Sequence, residues 1–148
     1  MKGCYHYLES GLRSVWLKNG YTTKRDPDYG ELVSIHDVDG LHRALGRTLA
    51  NKPRLSGSEV RFLRKEMGLS QRGLGDLLGV GDQAVALWEK NGRVPKTADR
   101  MLRLVYLEHV DGNTPIVETI RRINDLDERS SDRIVAEDAK GGWRAKAA

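Results

Sequence analysis

Residues 69–90 read LSQRGLGDLLGVGDQAVALWEK, and this stretch decides the predicted fold. It holds two short amphipathic segments, about 71–78 and 82–90, on either side of the tripeptide GVG. In the second segment Val85 and Trp88 are three residues apart and share one helix face. The first segment presents Leu74, Leu77 and Leu78 in the same way. The stretch therefore predicts two helices joined by a tight turn.

Turn and capping residues support these helix boundaries. Ser70 is a typical N-cap for the first helix, and Gly79 is a typical residue after its last turn. The glycines at 73 and 75 weaken that helix, so it depends on packing. A helix pair this short needs neighbours. We predict them at about 57–67 and 96–109.

The helix at 57–67 has a capping-box start, because Ser56 stands three residues before Glu59. Val60, Leu63 and Met67 line one face of it, and Gly68 ends it. In the helix at 96–109, Met101, Leu104 and Val105 point inward at helical spacing. Another helix is predicted after residue 113, with Thr114 as N-cap and Pro115 at the first helical position.

The N-terminal third has a different pattern. Residues 1–36 are rich in aromatic and β-branched positions and predict three or four short strands, with a hairpin turn at Asn19-Gly20. Helical spacing begins near Asp39, a possible N-cap, and ends near residue 50. The predicted fold class is thus α+β: a small β-rich unit with one helix at 1–54, an all-α five-helix domain at 55–127, and a flexible tail at 128–148.

Composition limits the classes of function. The 148 residues carry 25 Lys plus Arg against 21 Asp plus Glu, a net charge of +4 that suits an anionic partner without proving one. Cys4 is the only cysteine, so neither a disulfide within one chain nor a cysteine-based zinc site can form. No apolar run reaches the roughly 18 residues of a membrane span. We expect a soluble cytoplasmic protein without a cofactor and without a membrane partner.

The predicted helix at 82–90 has an outer face that could enter the major groove of DNA. This follows because a helix that rests on its neighbours through Val85 and Trp88 leaves its other side free. Gln83 is the most informative residue there, since a glutamine amide can pair with adenine at two points. The outward residues are expected to be Asp82, Gln83, Ala86 and Leu87, with Ala84 close by.

At this point the sequence resembles a known family. The run LRKEMGLSQRGLGDLLGVGDQAVALWEKNGRVP is similar to helix-turn-helix domains of the Cro and lambda-repressor type (the XRE group), over about residues 55–110. The resemblance implies five linked helices, DNA binding as a homodimer and an ion pair between Arg64 and Glu89. It also implies Gln71 on a phosphate, Lys90 near the DNA backbone, and bases facing Asp82, Gln83 and Leu87. Further phosphate contacts are expected from Arg72, Arg93 and Lys96.

The order of units also resembles antitoxins of the MqsA and HigA type, with a small N-terminal unit before the helix-turn-helix. Those that carry a zinc site hold the metal with paired cysteines, which this sequence lacks. The resemblance implies a repressor of its own operon that binds a toxin protein. A stand-alone or phage-type regulator fits the same residues, and gene context would separate the two.

Other residues have plainer explanations beside functional ones. His36-Asp37 suggests a small metal-dependent hydrolase, but the other histidines show no ligand spacing, so surface roles are favoured. Trp88 is expected in the core and not as a stacking platform for bases. Trp143, in the tail, could be a short segment that orders on a partner or an inert end.

Overall fold

A computed structural model describes residues 2–112, 118 and 134–147. Its strands form three separate two-stranded antiparallel sheets, which pair β1 with β2, β3 with β4, and β5 with β6. The elements are β1 (Tyr5–His6), β2 (Trp16–Leu17), β3 (Tyr21–Asp26), β4 (Gly30–Ile35), α1 (Val38–Ala50), α2 (Gly57–Glu66), α3 (Gln71–Leu78), α4 (Asp82–Asn91), α5 (Lys96–Val110), β5 (Ile134–Ala139) and β6 (Gly142–Ala147). The α+β fold class is confirmed.

The hairpin predicted at Asn19-Gly20 is wrong. β2 pairs with β1 and β3 with β4, so this dipeptide connects two hairpins instead of closing one. The closing turn of the second hairpin is the three-residue loop 27–29. There the Asp26 carboxylate accepts hydrogen bonds from the backbone N–H groups of Asp28 at 2.8 Å and Tyr29 at 3.1 Å. An aspartate bonded to the backbone two residues on stabilises a turn by itself.

The helix α1 begins earlier than predicted, because Asp37 and not Asp39 is its N-cap. The Asp37 backbone is left-handed at φ 50°, and its carboxylate accepts from the Gly40 N–H at 3.1 Å. Asp39 lies inside the first turn, where its negative charge interacts favourably with the positive end of the helix dipole. Both aspartates therefore help α1 to start, by different means.

Helices α2 to α5 lie where the sequence predicted them, and the capping box at the start of α2 is complete. Ser56 Oγ accepts from the Glu59 N–H at 3.3 Å, and Glu59 Oε1 accepts from the Ser56 N–H at 2.7 Å. Burial opposes ionisation of Glu59, but bonds from Lys52 Nζ at 2.7 and 2.9 Å and from Ser56 outweigh it. The pKa of Glu59 is consequently lowered.

The five helices between residues 38 and 110 contribute to one hydrophobic core. Gly46 in α1 packs so closely on α5 that a methyl group there would overlap the Tyr106 hydroxyl. The helix that the sequence assigned to a separate unit at 1–54 thus shares its packing with residues 55–110, and the division at 54 stays a prediction about independent folding. The buried core is formed by Leu12, Leu49, Ala50, Leu55, Val60, Phe62, Leu63, Leu74, Val85, Trp88, Leu102 and Tyr106.

The tail predicted at 128–148 contains two strands, and its flexibility stays a prediction. Residues 134–147 form a hairpin, with Glu137 opposite Arg144 and Asp138 opposite Trp143. The predicted helix at Thr114-Pro115 lies outside the described residues. No helix in the described part has the length and apolarity needed to cross a membrane.

Candidate nucleic-acid interface

The tight crossing of α3 and α4 depends on a glycine. A Cβ at Gly75 would lie 2.6 Å from the backbone oxygen of Val80, closer than side-chain carbons approach a carbonyl. Gly79 then ends α3 with a left-handed backbone at φ 75°. The helix-weakening glycine at 75 is thus what lets the turn between α3 and α4 fold back on α3.

The ion pair between Arg64 and Glu89 ties α2 to the end of α4. Arg64 Nε donates to Glu89 Oε2 at 2.8 Å and Nη2 to Oε1 at 3.0 Å. The two side chains are only 10% and 8% exposed. Arg64 Nη1 also donates to the backbone oxygen of Leu69 at 2.9 Å, just before α3. One guanidinium therefore fixes the segments that begin α3 and end α4.

The outer face of α4 is formed by Asp82, Gln83, Ala86 and Leu87. Asp82 and Gln83 are exposed, and Leu87 is 55% exposed although it is apolar. The opposite face of the same helix is buried, with Val85 fully covered and Trp88 7% exposed. Trp88 is accordingly a core residue, as expected. The arrangement presents an amide, a carboxylate and an apolar side chain on the first turns of a supported helix.

Two predicted contact residues have protein partners in the structure. Ala84 is half-buried and packs against the hydrophobic core, so it is not part of the outer face. Gln71 Nε2 lies 3.4 Å from Glu89 Oε1, which holds the half-buried side chain at the start of α3. The other amide atoms of Gln71 have room for a further partner.

Asp82 also has a structural explanation. The N-cap of α4 is Gly81, which offers no side chain to the first backbone N–H groups. A carboxylate in the first turn stabilises a helix because its negative charge interacts with the positive end of the helix dipole. Asp82 therefore stabilises the start of α4 whatever else it contacts.

Exposed basic side chains lie on α3, at the end of α4 and at the start of α5. Arg72 in α3, Lys90 in α4, Arg93 and Lys96 are all exposed. Lys96 also lines a cleft of about 200 Å³ together with Arg54 and Arg100, two exposed cations that the sequence did not single out. Arg100 stands four residues after Lys96 on one helix face, a spacing that could have revealed it. Arg54 lies in the linker before α2, and no periodicity places it.

A comparison with family models matches residues 60–104 to Helix-turn-helix, just under a third of the chain. These residues form a helix-turn-helix. The match covers α2 to most of α5 and confirms the resemblance to the Cro and lambda-repressor type. This helix-turn-helix marks a DNA-binding transcription regulator. No curated protein and no solved structure matched the chain.

His36 and Asp37, the residues of the hydrolase hypothesis, do not belong to a metal site in the described residues. His36 is exposed at the end of β4, and Asp37 is occupied in capping α1. Within the described residues, no three His, Cys, Asp or Glu side chains lie close enough together to hold a metal ion. Cys4 is half-buried as a free thiol. Trp143 lies on β6 with 74% of its side chain exposed, and its role as a partner-binding segment stays a prediction.

Proposed function

We propose that this chain is a homodimeric repressor that reads a palindromic operator in double-stranded DNA. The observation that carries the proposal is the exposed outer face of α4, a helix whose opposite face packs in the hydrophobic core. Val85, Trp88 and the Arg64–Glu89 pair fix its position, so the helix backbone needs little ordering when it meets a partner.

The outer face of α4 fits the edges of base pairs. Gln83 would pair with adenine at two points, and Asp82 would accept from a cytosine amino group. Leu87 would contact a thymine methyl group, and the small Ala86 permits close approach. These side chains are short, so α4 itself must enter the groove.

Phosphate contacts would position the helix. Backbone contacts supply affinity without sequence information, because they neutralise phosphate charge. The exposed cations beside α3 and α4 are suited to this, and the start of α3 adds a helix dipole. We assign this role to Gln71, Arg72, Lys90, Arg93 and Lys96, joined by Arg54 and Arg100.

A dimer would read two half-sites about one helical turn apart, since each copy presents one α4 to the major groove. A footprint over the DNA upstream of the gene tests this. Wild-type protein should protect two inverted half-sites on one side of the duplex. Gln83→Ala should lose about 1–3 kcal/mol of specific binding and keep its unfolding midpoint. An unchanged sequence preference in Gln83→Ala would remove α4 as the reader.

We further propose that the protein is the cytoplasmic antitoxin of a toxin–antitoxin pair and represses its own operon. The order of units supports this, with a small strand-rich N-terminal part before the helix-turn-helix. A neighbouring small reading frame should arrest growth when expressed alone, and its product should co-purify with the full chain. If no such frame exists, the stand-alone or phage-type regulator is the better assignment.

A further inference from the structure

A cleft of about 590 Å³ lies between the loop 8–13 and the helix α2. On the helix side it is lined by Ser58, Arg61 and Lys65, which are three and four residues apart and so share one face, and by the neighbouring Phe62. Its size is typical of small-molecule sites, which run from roughly 300 to 1,000 Å³. No residue assigned to DNA contact lines it.

The loop wall of the cleft is held at both ends. Tyr7 and Leu12 are 4% and 5% exposed, so the chain is anchored in packed surroundings just before the loop and near its end. Between them the Gly11 N–H donates to the Leu8 backbone oxygen at 3.0 Å. Leu8 remains 54% exposed at the edge of the cleft. The cleft is therefore preformed, with an apolar side chain at its rim.

The floor joins three parts of the chain. The Tyr7 hydroxyl lies 2.7 Å from His42 Nε2, and His42 Nδ1 lies 3.2 Å from Glu66 Oε1. Burial, followed by the charges of Glu9 and Glu66, raises the pKa of Tyr7 above its ordinary 10, so its hydroxyl stays protonated and can donate to His42. Phe62 packs 5.3 Å from His42, centroid to centroid. These contacts fix the aromatic floor.

The carboxylates around the cleft already have partners. Glu9 accepts from the Tyr5 hydroxyl, and Glu66 faces His42. Glu89 is held by the ion pair described above. Glu89 is thus neutralised by Arg64, whereas Glu9 and Glu66 have hydrogen-bonding partners and keep their negative charge in the lining.

The cations around the cleft are not paired in the same way. Arg13 reaches it from the loop, and Arg61 and Lys65 from α2. All three are exposed, and in the described residues none of them has a carboxylate within 4.0 Å. The cleft therefore offers three exposed cations that form no ion pair within the described residues, against two carboxylates, Glu9 and Glu66, in the same lining.

We propose that this cleft binds a small organic anion. Its carboxylate or phosphate group is held by Arg13, Arg61 and Lys65, and its apolar body lies against Leu8 and the small edge of the Phe62 ring that reaches the cleft. Arginine and lysine are the residues that recognise such groups through charge-assisted hydrogen bonds. The site is separate from the proposed DNA contacts and makes the protein a regulator with its own ligand.

Titration calorimetry on the full chain without DNA tests the site. Phenyl phosphate should bind at one saturable site, inorganic phosphate at least tenfold more weakly because it lacks the ring, and benzyl alcohol not at all. Benzoate in a parallel arm distinguishes a carboxylate ligand from a phosphate ligand. Arg61→Ala/Lys65→Ala should weaken the better anion at least tenfold. Lys24→Ala/Arg25→Ala on β3 removes the same charge elsewhere and should leave binding unchanged.

Arg13→Ala, on the opposite wall, repeats the test without altering α2 and should also weaken binding. Absence of saturable binding by both aromatic anions, or equal losses in the β3 control, would overturn the proposal. So would a double α2 variant that binds the anions normally but loses operator DNA, because its cations would then serve the DNA backbone. Since the anion titrations contain no DNA, failure of the repressor assignment would leave their outcome standing.

Discussion

Replacing Glu89 with alanine tests what holds α4 in place. The change removes the two carboxylate oxygens that accept from Arg64 at 2.8 and 3.0 Å, one of which also lies 3.4 Å from the Gln71 amide. The guanidinium that remains is only 10% exposed and keeps just the Leu69 carbonyl as an acceptor. Removing one member of a buried ion pair costs about 3–5 kcal/mol, because the other charge is left without compensation.

The loss should be read from urea unfolding followed by circular dichroism. A decrease of about 3–5 kcal/mol lowers the folded-to-unfolded ratio by roughly a hundredfold to several thousandfold. The matched control is Asp111→Ala, which breaks the 2.8 Å pair with Arg47, whose side chains are 51% and 56% exposed. Exposed pairs contribute about 0–1 kcal/mol, so this variant should remain close to wild type.

The double variant Arg64→Met/Glu89→Leu separates the pair from packing. Two apolar side chains of similar volume leave no buried charge, and we expect most of the lost stability to return. If Glu89→Ala costs no more than Asp111→Ala, the pair does not hold α4. The same conclusion follows if the effects at 64 and 89 simply add, because coupled residues do not behave independently.

Three further predictions concern the helices and the DNA surface. Gly75→Ala should lower the free energy of unfolding by about 1–3 kcal/mol, since its Cβ would lie 2.6 Å from a backbone carbonyl oxygen. Gly73→Ala, whose Cβ would lie 3.3 Å from Ser70 Oγ, should stay within about 1 kcal/mol of wild type. Equal losses in urea unfolding would contradict the close approach at Gly75. The lowered pKa of Glu59 means that its contribution is complete above the unfolded value of 4.5 and is lost as the pH falls through the lower folded value. The stability gap between wild type and Glu59→Gln should therefore be constant at neutral pH and close on acidification; a gap that persists in acid would refute this. Lys90→Ala should weaken binding to all DNA sequences alike and reduce the slope of log affinity against log salt by about one, as fluorescence anisotropy over a salt series would show, and a change confined to the operator would count against a backbone contact.

Much of the helical part was predictable, because its signals are local. Ser56, Ser70 and Gly79 mark helix ends through bonds to residues three or four positions away, and the structure places the helices accordingly. The inward stripe of Val85 and Trp88 depends only on helical spacing. The outer face of α4 follows from the same helical spacing, because the residues that do not share the face of Val85 and Trp88 lie on the opposite side of the helix.

The errors arose where long-range packing or competing local signals decide. Asn19-Gly20 tolerates a tight turn, but β2 has only two residues and pairs backward with β1, so the dipeptide became a connector. Asp37 and Asp39 are both plausible caps, and only the backbone geometry selects Asp37. The contact of Gly46 with Tyr106 spans sixty residues, and no local pattern indicates it.

The Arg64 guanidinium bonds to the carboxylate of Glu89 and to the carbonyl of Leu69 from the buried side of the last turn of α2. The guanidinium thereby fastens α4 to α2 through buried contacts. None of the residues at 82, 83, 86 and 87 takes part in that fastening. Substitutions at 83, 86 and 87 should therefore change which bases α4 contacts without loosening the helix, whereas Asp82 also stabilises its start.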